Sequence, residues 1–342
     1  VICLIFGIQA LGGWGEFVTN VDPDRLTAVD FSSWGFSGDE FGFWPMVLGG
    51  VFLYASYYGT DQTQSQRLLS SKDMPTIRQL LTVNGLFRFP VTLVYCIMGL
   101  VLGTLLVQDA SFQAAIDTTF EQNSDYLRSA NDLMVPIFIT QYLPHGIIGI
   151  LLVAILSAAM SSLSSAINSL SAASMEDFVR PFRGEMGDQD YVRTSRYVSI
   201  FWGVVCLFFA FFAGNIADTV IEAINKVGSA FYGPILAAFA LAILSNKSHA
   251  LGVNLGILVG VGVNVYLWIF VPEVFWIWYN AIGCVVTLAV ALGVSYALPN
   301  AGQIKALDRE SIKFNIPHVF VLLGFFILIV LISMAIPSWL SS

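Results

Sequence analysis

Charge is scarce in this chain. Of its 342 residues only 11% are Asp, Glu, Lys or Arg, while 56% are hydrophobic; a soluble domain carries about 25% charged residues. So little charge cannot coat a water-soluble globule. Basic residues are the scarcer sign, 15 Lys and Arg against 23 Asp and Glu, for a net charge of −8. They form no run or patch, which removes the electrostatic footprint that nucleic acid requires. Cysteine is limited to Cys3, Cys96, Cys206 and Cys284. Each sits in an apolar run without metal-type spacing, as inert core cysteines do. His145, His249 and His318 lie far apart near predicted helix ends. No nucleophile stands with a base and no convergent acid and base can be assembled, so the pattern is not that of an enzyme. There is no dinucleotide fingerprint, no initiator Met and no secretory leader. The chain opens with Val1 inside an apolar run and reads as a fragment whose N-terminal helices are absent.

What is abundant is the long apolar run. The runs predict an all-α polytopic membrane protein of about nine helices. They cover residues 1–14 (truncated), 43–58, 80–107, 145–174, 192–213, 218–244, 250–270, 275–297 and 317–339. The second is short, and the amphipathic stretch 59–69 is expected to extend the same helix. Loop charge gives the orientation. Residues 15–40 carry Arg25 against Glu16, Asp22, Asp24, Asp30, Asp39 and Glu40, and residues 108–141 carry Arg128 against Asp109, Asp117, Glu121, Asp125 and Asp132. The other loops hold Arg67, Lys72 and Arg78; Arg180, Arg183, Arg193 and Arg196; Lys247; and Lys305, Arg309 and Lys313. The two classes alternate along the chain. Basic loops are therefore expected in the cytoplasm, the chain in the plasma membrane, and its C-terminal end outside. The loop at 15–42 is rich in aromatics, including Phe31, Trp34 and Phe36. It reads either as an interfacial belt packed on the outer face or as an outer lid. Residues 112–120 are expected to form a short amphipathic surface helix.

The stretch at 144–178 organises the rest. It is uncharged from Gly146 to Ser174, enough for a helix of roughly 43 Å where ~30 Å crosses the hydrocarbon core. Its first half is aliphatic. Its second half carries Ser157, Ser161, Ser162, Ser164, Ser165, Asn168, Ser169 and Ser171. Small hydroxyl residues let helices pack closely and bond back to their own turn. A sharper reading joins Ala158, Ser161 and Ser162, which share one helix face. One carbonyl and two hydroxyls there could form half an oxygen cage for a hard cation, Na⁺ being of suitable size.

At these residues a resemblance enters. The segment LSAAMSSLSSAINSLSAASMEDFVRP at 156–181 resembles the most recognisable helix of the sodium/solute symporter family, and YYGTDQTQSQRLLSS at 57–71 resembles a second marker of that family. SSAINS followed by MEDFVRP is most similar to the branch that carries iodide, monocarboxylates and vitamins. The resemblance implies a LeuT-type inverted-repeat fold and Na⁺-driven uptake of a small solute, with Na⁺ as the coupling ion and the lipid bilayer as surroundings. On the family's pattern, residues 1–14 close the first repeat, 43–246 form the second, and 249–342 add further helices. The broken helix that supplies the other sodium ligands is absent. Ser164 and Ser165 resemble positions used for a second sodium in some relatives. A transporter-like sensor module and a sugar or polyol symporter stand as alternatives.

Two helices are candidates for the solute. The second carries Tyr54, Tyr57 and Tyr58 beside Thr60, Asp61, Gln62 and Gln64. These read either as a solvated helix end or as the lining of a water-filled path. By resemblance, Tyr57 falls where sugar-carrying members place an aromatic gate, but Tyr58 replaces their usual Trp. The sixth carries Glu222, Asn225, Lys226 and Ser229. Glu222 and Lys226 are spaced as a helical ion pair. By resemblance, Lys226 falls near a substrate-binding position, where a cation would favour an anionic solute.

Overall fold

The computed structural model describes residues 1–38, 41–123, 129–212, 220–298 and 316–340. Among them every regular element is helical. α1 (Ile2–Ala10) and α2 (Trp14–Asn20) precede an aromatic loop, and the π-helical turn Pro45–Gly49 runs straight into α3 (Gly50–Thr60), followed by α4 (Gln62–Leu69). α5 (Met74–Gln108), α6 (Ala110–Gln122) and α7 (Met134–Tyr142) lead to α8 (His145–Ser174). A second π-helical turn, Met175–Val179, continues α8 into α9 (Arg180–Arg183). α10 (Asp188–Ala210), α11 (Val220–Leu244), α12 (Ala250–Phe270), α13 (Trp278–Ala297) and α14 (Ile316–Leu340) follow. Lys305, Arg309, Lys313, Arg128 and the side chain of Glu222 lie outside the described residues.

By length and composition, 7 described helices can cross a bilayer, or up to 8 if α1 and α2, bent by 73° at their junction, are one span. Two expectations change here. The first run does not continue to residue 14, because Gly12 and Gly13 take φ of +89° and +119°, a region side chains other than glycine avoid. The stretch 59–69 is divided at Asp61: Gly59 and Thr60 close α3, and residues 62–69 form a separate helix rather than an extension of it. Asp61 is extended (φ −72°, ψ 124°) and its carboxylate accepts from Gln64 N at 3.0 Å, so it ends one helix and caps the next. Residues 112–120 do fall in a surface helix, α6.

The chain forms two compact units: Val1–Ala28 with Lys72–Ala223 and Gly324–Ser342, and Val29–Ser71 with Ile224–Leu323. In the first, the end of α5 packs with α2, α6 and α7 around Phe17, Leu26, Val101, Leu105, Phe112 and Phe138, all buried. Asp109 ties this cluster together. Its carboxylate caps α6, accepting from Ser111 N at 2.8 Å and Ser111 Oγ at 2.6 Å, and receives the Tyr142 hydroxyl from α7 at 2.5 Å. These bonds, the Ser111 hydroxyl first and the Tyr142 phenol second, hold its carboxyl down at about 2.

The second unit is built on the pairing of α12 with α13. Gly252, Gly256, Gly260 and Asn264 recur every four residues along one stripe of α12, and all are buried. A Cβ at Gly256 would lie 2.7 Å from the Thr287 carbonyl oxygen, and one at Gly260 would meet Thr287 Oγ1. In lipid, helices associate through such close packing and through polar contacts rather than a hydrophobic drive. The aromatic loop sits against the α12–α13 turn. Trp278 Nε1 donates to Trp34 O at 2.8 Å, Phe275 N donates to Gly35 O at 2.9 Å, and Phe36 stacks on Trp278 at 5.5 Å.

Candidate functional site

The serine face belongs to the first unit. On α8, Ser161 Oγ donates to Ala158 O at 2.9 Å. Two of the three expected oxygens are therefore neighbours. Ser162, one residue on, has no hydrogen-bond partner among the described residues, and all three residues are exposed. A cation bound there would take both hydroxyls through their lone pairs, with the Ser161 proton turned away from the carbonyl. Ser165 lies on the same face, three residues beyond Ser162, whereas Ser164 points about 200° round the helix from Ser162, beside Asn168 and Ser199. The opposite face packs on α10. Ser171 is buried, donating to Ser195 O at 3.2 Å and receiving Ser199 Oγ at 3.1 Å, and Trp202 Nε1 donates to Ser174 Oγ at 2.8 Å. One helix thus separates packing serines from outward-facing ones.

The expected solute residues belong to the second unit, where α3 and α11 touch. Ser56 Oγ, fully buried, donates to Tyr232 O at 2.9 Å. Around this joint, Tyr54 stacks on Tyr58 (6.4 Å) and Tyr57 meets Tyr58 edge-on (5.2 Å). Gln64 Nε2 donates to the Tyr57 hydroxyl at 2.6 Å. The Tyr232 ring folds back over Gly228, where a Cβ would lie 2.7 Å from it, and Tyr57 and Asp61 stand within electrostatic reach of its phenol. Asn225 and Lys226 are partly buried, and both are engaged with neighbours. Ser229 is fully buried and its hydroxyl accepts from Asn280 Nδ2 at 2.9 Å, so in this conformation it ties α11 to α13.

Reading by runs missed the partners that hold α11. Pro234 has no N–H to give, so the Ala230 carbonyl four residues earlier loses its helical donor. Asn264 Nδ2 supplies the substitute at 3.0 Å. Asn264, Asn280 and Thr287 are fully buried, and Asn264 Oδ1, Asn280 Oδ1 and Thr287 Oγ1 have no partner among the described residues. The signal was present as the four-residue spacing of Gly252, Gly256, Gly260 and Asn264, together with a proline inside α11. Among the described residues no group of three or more His, Cys, Asp or Glu could hold a metal.

A model of the sodium:solute symporter family matches residues 1–260. The sodium-dependent multivitamin transporter of Oryctolagus cuniculus is 29% identical over 76% of this chain and 37% of its own length. The sodium-coupled monocarboxylate transporter 1 of Homo sapiens is 26% identical over 66% of the chain and 35% of its own. The human sodium/iodide cotransporter is 26% identical over 78% and 40%. The chain thus spans well under half the length of these curated relatives. A Na⁺-coupled sialic acid symporter, solved substrate-bound and outward-open, superposes with a TM-score of 0.65 over 90% of this chain and 60% of that one, at 19% identity. That likeness bears on the fold alone.

Proposed function

The chain belongs to the sodium:solute symporter family, and we propose that it forms the later part of a sodium-coupled importer of a small organic solute. Residues 1–14 end the first inverted repeat, 43–246 make the second, and 249–342 are added helices. Na⁺ sits on the α8 face at Ala158, Ser161 and Ser162, with Ser165, and Ser164 from the other side, available to a second ion. The remaining ligands come from parts of the transporter outside this sequence. The solute lies against α3 and α11, among Tyr54, Tyr57, Tyr58, Asn225 and Lys226, with Ser229 holding α11 in place from behind. A cation at position 226 favours an anionic solute, in keeping with monocarboxylate and iodide relatives. Na⁺ drives uptake by binding one conformation of the carrier more tightly than the other. The protein works in the plasma membrane with its basic loops in the cytoplasm.

The observation that carries this reading is the face of α8 that pairs Ser161 Oγ with Ala158 O and leaves Ser162 without a partner among the described residues, in a chain matched by the family over residues 1–260. The test is uptake by the complete transporter in proteoliposomes, with a monocarboxylate, a vitamin and iodide offered separately. An inward Na⁺ gradient should drive accumulation of one of them. Equal uptake with K⁺ in place of Na⁺ would rule the reading out.

A further inference from the structure

A cavity of about 650 Å³ opens in the first unit between α5, the segment from α2 to Ala28, and α14. Its walls are aliphatic and aromatic, with Leu93, Ile97 and Leu100 on one side and Ile332 and Ile336 on the other. Its floor is Phe89, whose ring meets Phe325 edge-on at 6.3 Å. Its rim carries Trp14, Trp339 and Arg25. From Phe89 to Leu100 the helix rises ~16 Å, about half of the ~30 Å hydrocarbon core. The groove therefore has the depth of one leaflet, with aromatic and charged groups at the end where headgroups lie.

We propose that this groove holds one acyl chain of a zwitterionic phospholipid, with its phosphate on Arg25 and its ammonium on Asp22. The guanidinium meets α5 end-on, with Nη1 2.5 Å from where a Cβ at Gly103 would be and Cζ 3.8 Å from it. Its Nε meets Asp22 Oδ2 at 3.5 Å, with both side chains more than half exposed. Such a surface pair is weak, and a guanidinium has donors to spare for a phosphate. Asp22 and the adjacent Asp24 oppose a headgroup of purely negative charge and complement a positive amine. The apolar walls take the chain, and the rim reproduces the headgroup's dipole with reversed signs.

Gly99 lines the groove, and a Cβ there meets nothing within 4 Å. Gly99→Leu therefore directs a side chain into the groove from a position that is open at Cβ, and removes a helix-weakening glycine. The complete transporter is extracted in mild detergent from membranes containing phosphatidylethanolamine and phosphatidylglycerol, and retained lipid is counted by native mass spectrometry. One phosphatidylethanolamine per chain is expected. Retention should fall at least fivefold in Gly99→Leu, whose thermal stability stays at or above the parent's, and Arg25→Gln should lose the headgroup preference. Equal retention of phosphatidylglycerol, unchanged retention in Gly99→Leu, or unchanged preference in Arg25→Gln would overturn the proposal. So would a fall in the stability of Gly99→Leu, which would mean that another part of the protein fills the groove.

Discussion

Asn264 gives its side-chain amide to the carbonyl of Ala230, 3.0 Å away on the neighbouring helix. That carbonyl is the one Pro234 leaves without an N–H. The bond is thus a long-range repair of a local defect, and it holds the helix bearing Asn225 and Lys226 against the α12–α13 pair. Asn264→Leu should cost about 1–3 kcal/mol, the usual penalty for stranding a buried polar group. The accounting can be checked by restoring the helical donor. In Asn264→Leu combined with Pro234→Ala, thermal unfolding in detergent should return toward the parent. A double variant no more stable than the single one would mean that the Ala230 carbonyl is not what Asn264 serves.

Asp109 makes an acid-sensitive joint. Its carboxyl is held at about 2 by Ser111 and Tyr142, below an ordinary unfolded value of about 3.9. A carboxyl depressed on folding stabilises fully above its unfolded value, and the contribution fades as pH falls from about 4 toward 2. Hydrogen exchange in α6 and α7 should therefore rise over that window. Asp109→Asn should already exchange faster at neutral pH and lose the acid step, and Tyr142→Phe should shift the step upward. An acid step that survives in Asp109→Asn would assign it to another group.

The spans were legible because apolar runs bounded by charge are a coarse, local signal that lipid enforces. The α8 serines were legible as a cluster, but not their division of labour, which depends on Ser195, Ser199 and Trp202 of α10. The break at Asp61 was within reach, since an acid that can accept from Gln64 N is an ordinary cap, yet the amphipathic run across it concealed the new helix. The glycine stripe of α12 was readable by its spacing. The Asn264–Ala230 and Ser56–Tyr232 bonds were not, because each joins residues far apart in the chain and depends on how helices are brought together.

The two faces of α8 should respond differently to the same chemical change. Among the described residues Ser162 has no partner to lose and Ser161 loses only its own-turn bond, so Ser161→Ala and Ser162→Ala should fold like the parent. Each should raise the Na⁺ concentration for half-maximal uptake by roughly tenfold, the equivalent of about 1.4 kcal/mol. Ser171→Ala, nine residues beyond Ser162 and facing α10, should leave the Na⁺ dependence alone and lower thermal stability slightly. Three variants with the parent's Na⁺ dependence would reduce the outward serines to packing residues.

In the proposed function, Lys226 is the residue that would select an anionic solute. An ammonium at membrane depth costs ~2.5–3.5 kcal/mol on insertion scales unless compensated. Glu222, one turn earlier, is one source of compensation, and an anionic solute arriving between α3 and α11 is another. The two differ in what a neutral side chain does. If the solute's anion is the partner, Lys226→Gln should abolish uptake while the protein folds and Na⁺ still stabilises it against heat. If Glu222 is the partner, Lys226→Gln leaves a buried acid alone, which destabilises strongly, and adding Glu222→Gln should restore both folding and uptake. The expected result is a folded, Na⁺-responsive and transport-dead Lys226→Gln that Glu222→Gln does not rescue. Recovery of uptake in the double variant would remove the anion from position 226 and return Lys226 to a structural pair.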